Sequence, residues 1–145
     1  MTPLSIRIKT ILIEIIKLLF MVLFVYTATS KLLDFEHFKM QLEKSPFISA
    51  YTDWIIWGLP IVEFTIVGLF LFQRYLVFAL YASLFLMSLF TTYIVMVLNF
   101  SDDIPCACGG VLESLGWNAH VVFNLAFMAL AVICISLSHK KNSPK

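Results

Sequence analysis

The sequence predicts an all-α integral membrane protein, a four-helix bundle with a short amphipathic helix on its outer surface after the first span. Of its 145 residues, 61% are hydrophobic and only 13% are charged, which leaves too few polar side chains to cover a small soluble domain. Apolar runs also recur at about the 20 residues that a helix needs to cross the bilayer. No repeat or second domain is evident, so residues 1–145 form a single membrane domain. The formal net charge of +1 gives no case for nucleic-acid binding.

Four apolar runs have spanning length, and they cover residues 11–29, 54–72, 75–98 and 119–137. The first is the least apolar because Glu14 and Lys17 lie in its opening turns. These two residues are three positions apart, so on a helix they can pair on one face. A signal peptide is the competing interpretation of this segment, with Arg7 and Lys9 as the basic region and residues 27–30 as the cleavage site. That alternative would leave three spans.

A polar segment separates the first two spans and contains a helical pattern of its own. Phe35, Phe38 and Leu42 recur at helical spacing, with charged residues between them. This spacing predicts a short amphipathic helix on the membrane surface. Asp34 is placed to cap its start, and Ser45-Pro46 is placed to end it.

Basic residues divide unequally between the two sides of such a bundle. With four spans, one side carries seven of them, Arg7, Lys9, Lys17, Arg74, Lys140, Lys141 and Lys145. The other side carries three, Lys31, Lys39 and Lys44. For a multi-pass protein in contact with the lipid bilayer, the positive-inside rule therefore predicts that both termini lie in the cytoplasm. In a bacterium, the expected location is the inner membrane. Both long linkers would then lie outside.

The outer linker, residues 99–118, contains two cysteines one residue apart. Cys106 and Cys108 follow Pro105 and precede Gly109-Gly110. A disulfide between them would enclose a single residue, so closing it would restrict little chain entropy. Such a tight ring would be strained and readily exchanged with other thiols. In an oxidising compartment, the pattern predicts a redox-active dithiol.

Two other interpretations of the cysteine pair stay open. Cys106 and Cys108 can form a structural disulfide that pins the linker. They can instead bind a soft metal such as copper(I) or zinc, with His120 as a third ligand. The third cysteine, Cys134, lies about 21 Å along the helix from His120 and is expected to be a packing residue.

Three polar residues inside the predicted spans are candidates for function. Glu63 lies near the middle of the second span, where a charge costs about 2.5–3.5 kcal/mol on insertion scales. Its functional interpretation is a proton relay or a quinone contact, and its plain one is a neutral side chain bonded to a neighbouring helix. His120 and Asn124 share a helix face at the outer start of the fourth span. His120 can move a proton during thiol exchange, a structural histidine being the alternative, and Glu63 with Asn124 is the candidate quinone site.

Several motifs together resemble a known family. They are the segments 29–35, 60–64, 106–110 and 116–117, followed by His120 and by Phe123-Asn124. In this order they resemble the methylamine utilisation protein MauE family of small, DoxX-like, four-helix membrane proteins. The resemblance implies a role in the maturation of disulfide-rich periplasmic proteins beside a thioredoxin-like partner. It also implies a bundle similar to those of vitamin K epoxide reductase and DsbB, which use a second cysteine pair as a shuttle.

This chain has no second pair, so exchange would run directly between Cys106–Cys108 and a partner or a quinone. The first functional hypothesis is therefore a membrane thiol–disulfide oxidoreductase with Cys106, Cys108 and His120 as its reactive residues. The second is a non-catalytic membrane subunit, or a copper- or zinc-handling protein, with a structural Cys-x-Cys. A third is a purely structural partner of an envelope complex.

Overall fold

The computed structural model describes residues 3–100 and 116–142, and this part of the chain is helical with no strand. Its five α-helices are α1 (Pro3–Leu33), α2 (Phe35–Lys44), α3 (Thr52–Leu71), α4 (Leu76–Phe100) and α5 (Trp117–Asn142). Short 3-10 turns, Ser49–Tyr51 and Gln73–Tyr75, precede α3 and α4. The predicted dithiol, Cys106 and Cys108, lies outside the described residues.

Three helical stretches are long and apolar enough to cross a membrane, and they make this a multi-pass membrane protein. Within the described ranges they are Ser49–Phe70, Gln73–Phe100 and Asn118–His139. They coincide with the second, third and fourth predicted spans. Helix α1 is not among them, and it is the helix with five charged residues. The all-helical class is therefore confirmed, and the first predicted span, residues 11–29 in α1, stays a prediction.

The four long helices pack around one apolar core. Helix α1 lies against α3 and α5, and α4 lies against α3 and α5. The buried face of α1 recurs every three or four residues, as expected of a helix with one face in a core. At the centre, the Phe20 ring contacts Phe24, Phe70 and Phe127, with its centroid 5.2 Å from that of Phe127 in an edge-on arrangement. Cys134 is fully buried in the same core, where it packs as expected.

The helices run alternately up and down. Thr10 of α1, Gln73 of the α3–α4 turn and Ser138 of α5 line one cavity, so the start of α1, this turn and the end of α5 meet at one end of the bundle. The end of α1, the start of α3, the end of α4 and the start of α5 lie at the other end. Phe100 and Gly116, the described residues on either side of 101–115, thus lie at the end of the bundle that also carries α2.

The predicted amphipathic helix forms as α2, and its apolar face packs against protein. Phe38 and Leu42 are buried with Ile56 in a second apolar cluster. Phe35 contributes a ring contact to Trp57, with 5.2 Å between centroids. Helix α2 thus lies at one end of the bundle, where it packs against α3. Its position relative to a membrane stays a prediction.

The ends of α2 differ in how well they match the sequence pattern. The helix stops at Lys44, before Ser45-Pro46, as predicted. The buried Ser45 Oγ lies 2.7 Å from the Tyr93 hydroxyl, which fastens this end to α4. The prediction that the Asp34 side chain caps the start is wrong, because it makes no capping hydrogen bond. Its Oδ2 lies instead 3.5 Å from His37 Nδ1, one turn on.

Candidate functional site

A buried ion pair joins the end of α1 to the middle of α3. Lys31 Nζ lies 2.9 Å from Glu63 Oε1, and the side chains are only 3% and 0% exposed. Removing two charges from water is costly, and a close contact in a low-dielectric interior repays only part of that cost. An ionisable residue within an apolar membrane-spanning stretch, as Glu63 is, is by default a functional candidate, so the pair marks a candidate site.

The ammonium group of Lys31 is held by four helices. It donates a hydrogen bond to the Thr27 carbonyl oxygen of its own helix, at 3.2 Å. The ring centroids of Phe38 in α2 and Phe90 in α4 lie 6.0 Å and 5.9 Å away, within the range of cation–π attraction. Together with Glu63 from α3, these contacts fix the cation in one place.

The carboxylate of Glu63 is satisfied at one oxygen only. Its Oε1 accepts from Lys31 and lies 3.1 Å from the Thr27 hydroxyl. That hydroxyl also lies 3.3 Å from the Phe24 carbonyl oxygen. The second oxygen, Oε2, is buried and has no hydrogen-bond partner among residues 3–100 and 116–142. An unpaired buried oxygen of this kind is unfavourable and requires an explanation.

Helix α5 contributes two more buried polar side chains, His120 and Asn124. They lie one turn apart and face the ion pair. The Asn124 Nδ2 group is buried and, within the described part of the chain, donates to no acceptor. The site therefore contains an orphaned donor on α5 as well as the orphaned acceptor on α3.

These groups surround one small cavity of about 30 Å³. Its polar lining consists of Thr27, Lys31, Glu63, His120 and Asn124, and its apolar lining of Leu23, Phe24, Met87, Phe90 and Phe123. About 10–15 Å³ is enough to hold a water molecule. Small size, apolar walls and a few convergent polar groups give the cavity the character of a specific binding site.

The cavity brings together the intramembrane residues that the sequence singled out. Glu63 of the second predicted span and His120 and Asn124 of the fourth all line it. His120 lies in the first turns of α5, and its backbone N–H bonds the Gly116 carbonyl at 3.0 Å, next to the end of the linker. Cys106 and Cys108 belong to that linker and lie outside the described residues.

Sequence reasoning missed Lys31 and Thr27 as members of the site. The sequence pattern identifies Lys31 only as an outer-side basic residue, whereas in the structure its amine is buried beside Glu63. A signal was present, since a carboxylate inside a bilayer calls for a cation and Lys31 is the first basic residue after the first apolar run. Thr27, one turn earlier, gave no such signal.

The orphaned donor and acceptor suit the oxygens of a quinone headgroup, but the cavity of about 30 Å³ is smaller than its ring, which is several times the size of a water molecule. The quinone contact of Glu63 and Asn124 stays a prediction. In the part of the chain that the structure describes, no three His, Cys, Asp or Glu side chains meet as a metal site would need.

Comparison with known proteins gives one result. No curated protein and no solved structure gives a significant match to the chain. The family model of the methylamine utilisation protein MauE matches residues 9–137, a range that includes every residue of the cavity. The chain therefore belongs to the methylamine utilisation protein MauE family.

Proposed function

We propose that this protein is a membrane thiol–disulfide redox protein that serves the maturation of an envelope protein in methylamine utilisation. Cys106 and Cys108 are the exchanging sulfurs, and a thioredoxin-like protein is the partner. The observation that supports this most is the buried polar cluster around Glu63 and His120, located at the end of the bundle to which the cysteine linker is attached. Because a buried pair of charges is often no more stabilising than well-packed apolar residues, the cluster favours a functional role over that of a scaffold alone.

Four spans are part of the proposal, and the outer surface of α1 supports them. Leu18, Val22 and Val25 are exposed on α1 opposite its buried face. A row of exposed aliphatic side chains is favourable in lipid and unfavourable in water. Helix α1 would thus cross the membrane despite its charges, because Lys31 is paired with Glu63.

The proposed orientation places both termini in the cytoplasm and the cysteine linker in the periplasm. Burial of Lys31 removes it from the outer-side count, leaving Lys39 and Lys44 there against seven basic residues on the other side. The charge bias of the positive-inside rule becomes stronger. Trp54 and Trp57 are exposed near the start of α3, where indoles would occupy the outer interface.

The exchange would proceed in two steps. The thiolate of one cysteine attacks a sulfur of the partner's disulfide, which forms a mixed disulfide and releases a partner thiolate. The second cysteine then attacks the mixed disulfide, closing the Cys106–Cys108 bond and freeing the partner as a dithiol. Two electrons and two protons pass from the chain to its partner, and the reverse reaction balances in the same way. His120 would accept a thiol proton and return it to the leaving thiolate.

The decisive experiment is to trap the mixed disulfide. In cells, Cys108→Ser or Cys106→Ser should accumulate a covalent adduct with a thioredoxin-like protein, seen as a reducible band and identified by mass spectrometry. Which variant traps identifies the attacking sulfur. Cys134→Ser is the matched control and should accumulate no adduct, because it keeps both exchanging sulfurs and removes only a thiol buried in the core.

Two outcomes would contradict the redox function. One is that neither variant forms an adduct and that the partner's thiols and disulfides keep their normal redox state in both. The other is stoichiometric copper or zinc on the purified protein that Cys106→Ser removes, which would favour the metal-handling alternative.

A further inference from the structure

We infer that the cavity binds a water molecule between Glu63 and Asn124, and that this water passes protons between the Lys31–Glu63 pair and His120. The inference rests on the proposed function, since it names where the protons of thiol exchange are held. It begins from two buried orphans that face one cavity, the acceptor Glu63 Oε2 and the donor Asn124 Nδ2.

The two orphans specify the chemistry of the ligand. A molecule that satisfies both must donate to a carboxylate oxygen and accept from an amide N–H₂, as a hydroxyl group does. The Lys31 ammonium disfavours a second cation in this cavity, and the Glu63 carboxylate disfavours an anion. The ligand is therefore neutral.

Size then selects among neutral hydroxyl compounds. The cavity of about 30 Å³ holds one or two waters, each of which needs about 10–15 Å³. Phe24, Phe90 and Phe123 form its apolar walls. Buried waters are typically held by two to four polar partners, and the polar lining supplies that number.

Three titratable groups face this water, each from a different helix. They are Lys31 of α1, Glu63 of α3 and His120 of α5, while α4 contributes Met87 and Phe90, which do not titrate. When His120 takes a proton from an attacking thiol, the imidazolium passes a proton through the water to the Glu63 carboxylate. The proton returns through His120 to the leaving thiolate, so the cavity neither gains nor loses a proton over one exchange.

Water-edited solid-state NMR on the full chain in lipid bilayers tests the binding site directly. Magnetisation from water should pass to the Glu63 carboxyl carbon and the Asn124 amide group. Asn124→Leu removes the donor at similar volume and should reduce the transfer to Glu63 to background. The matched control is Ser83→Ala, because the buried Ser83 hydroxyl already bonds the Ala79 carbonyl oxygen at 2.7 Å and lines no part of the cavity. Ser83→Ala should leave the Glu63 signal unchanged.

An absence of transfer to Glu63 in the unsubstituted protein would overturn the water site. So would transfer that Asn124→Leu leaves intact. Both results are independent of any redox activity.

The relay is tested by the rate of thiol–disulfide exchange between the chain and the partner protein that trapping identifies. This rate is measured in H₂O and in D₂O. Asn124→Leu should slow exchange roughly a hundredfold, the lower end of general acid–base effects, and should change the solvent isotope effect. Asn124→Gln, which keeps the amide donor, should recover part of the rate.

The failures of the two proposals are distinguishable. If Cys108→Ser and Cys106→Ser trap no partner while water transfer to Glu63 is seen, the redox function fails and the water site stands. If a partner is trapped but Asn124→Leu leaves rate and isotope effect unchanged, the relay alone is wrong.

Discussion

Helix α1 takes part in two ion pairs, Glu14–Lys17 and Lys31–Glu63, which differ in position, in sequence separation and in burial. Glu14 and Lys17, near one end of the bundle, lie three residues apart on the same helix, with side chains 41% and 13% exposed. Lys31 and Glu63, towards the other end, are 32 residues apart and buried. The first pair lies on the surface of one helix, whereas the second connects α1 to α3.

The difference in burial changes how each pair contributes to the stability of the fold. An exposed pair is worth about 0.3–0.5 kcal/mol, because water and salt screen it and two side chains lose freedom. A buried pair suffers desolvation that can exceed its attraction, yet removing one partner is severe because the other charge stays behind. The Lys31–Glu63 pair is therefore a poor choice for stability alone, which directs attention to its role in the cavity.

Breaking the buried pair should give the largest effect. Lys31→Met leaves the Glu63 carboxyl buried without its cation and should lower the free energy of unfolding by about 3–5 kcal/mol. Unfolding by denaturing detergent, followed by circular dichroism, measures this. Lys39→Met is the control, since Lys39 is exposed on α2, and it should change stability little. A loss as small as that of the control would mean that the pair is not buried.

Removing both charges should recover what the single change loses. Lys31→Met combined with Glu63→Leu replaces the pair by apolar groups and should restore the original stability or exceed it by about 1–4 kcal/mol. The same unfolding assay, run as a double-mutant cycle, gives the coupling energy. Recovery of stability without recovery of thiol exchange would separate the two roles. Additive losses would contradict the pairing.

The hydroxyl that supports Glu63 should matter less. Thr27→Val removes the group 3.1 Å from Glu63 Oε1 and keeps the shape, so we expect a loss of about 1–2 kcal/mol. Thr10→Val provides the comparison within α1, because the exposed Thr10 hydroxyl bonds only its own helix, at the Ile6 carbonyl oxygen. Equal losses in the two variants would show that Thr27 does not support the carboxylate.

Removing the charge of Glu14, in the partly exposed Glu14–Lys17 pair, should have the smallest effect on stability. Glu14→Gln keeps an oxygen for the Gln73 amide, which donates to Glu14 Oε1 at 2.7 Å, and removes only the charge. Stability should fall by no more than about 0.5 kcal/mol, and by less at high salt. A larger, salt-independent loss would show that this pair is shielded from water by lipid.

The contrast between the pairs also explains what the sequence could predict. Glu14–Lys17 follows from helical spacing alone, as does the apolar face of α2 with Phe38 and Leu42. The Lys31–Glu63 contact depends on how two helices rotate against each other, and spacing within one helix says nothing about rotation between helices. Lys31 therefore looked like an ordinary linker residue. Asp34 failed as a cap for a related reason, since capping needs a backbone geometry that the residue type alone does not impose.

Several residues of the candidate site could be predicted from the sequence, but their arrangement around one cavity could not. Glu63, His120 and Asn124 were conspicuous because polar side chains are rare in apolar helices. Spacing within α3 and α5 could not show that these side chains line one cavity with Thr27 and Lys31 of α1, because that depends on how the helices pack around Phe20. The cysteine linker, the other half of the proposed function, was predicted from sequence and lies outside the described residues.

The salt link between α1 and α3 has a consequence for how the chain enters a bilayer. Alone, α1 would carry an uncompensated lysine, and α3 an uncompensated glutamate, into lipid, each at a substantial insertion cost. Side by side, as the contact between Lys31 and Glu63 arranges them, the two helices cancel each other's charge. Insertion of α1 and α3 together should therefore cost less than insertion of either helix alone, because the Lys31 and Glu63 charges offset each other.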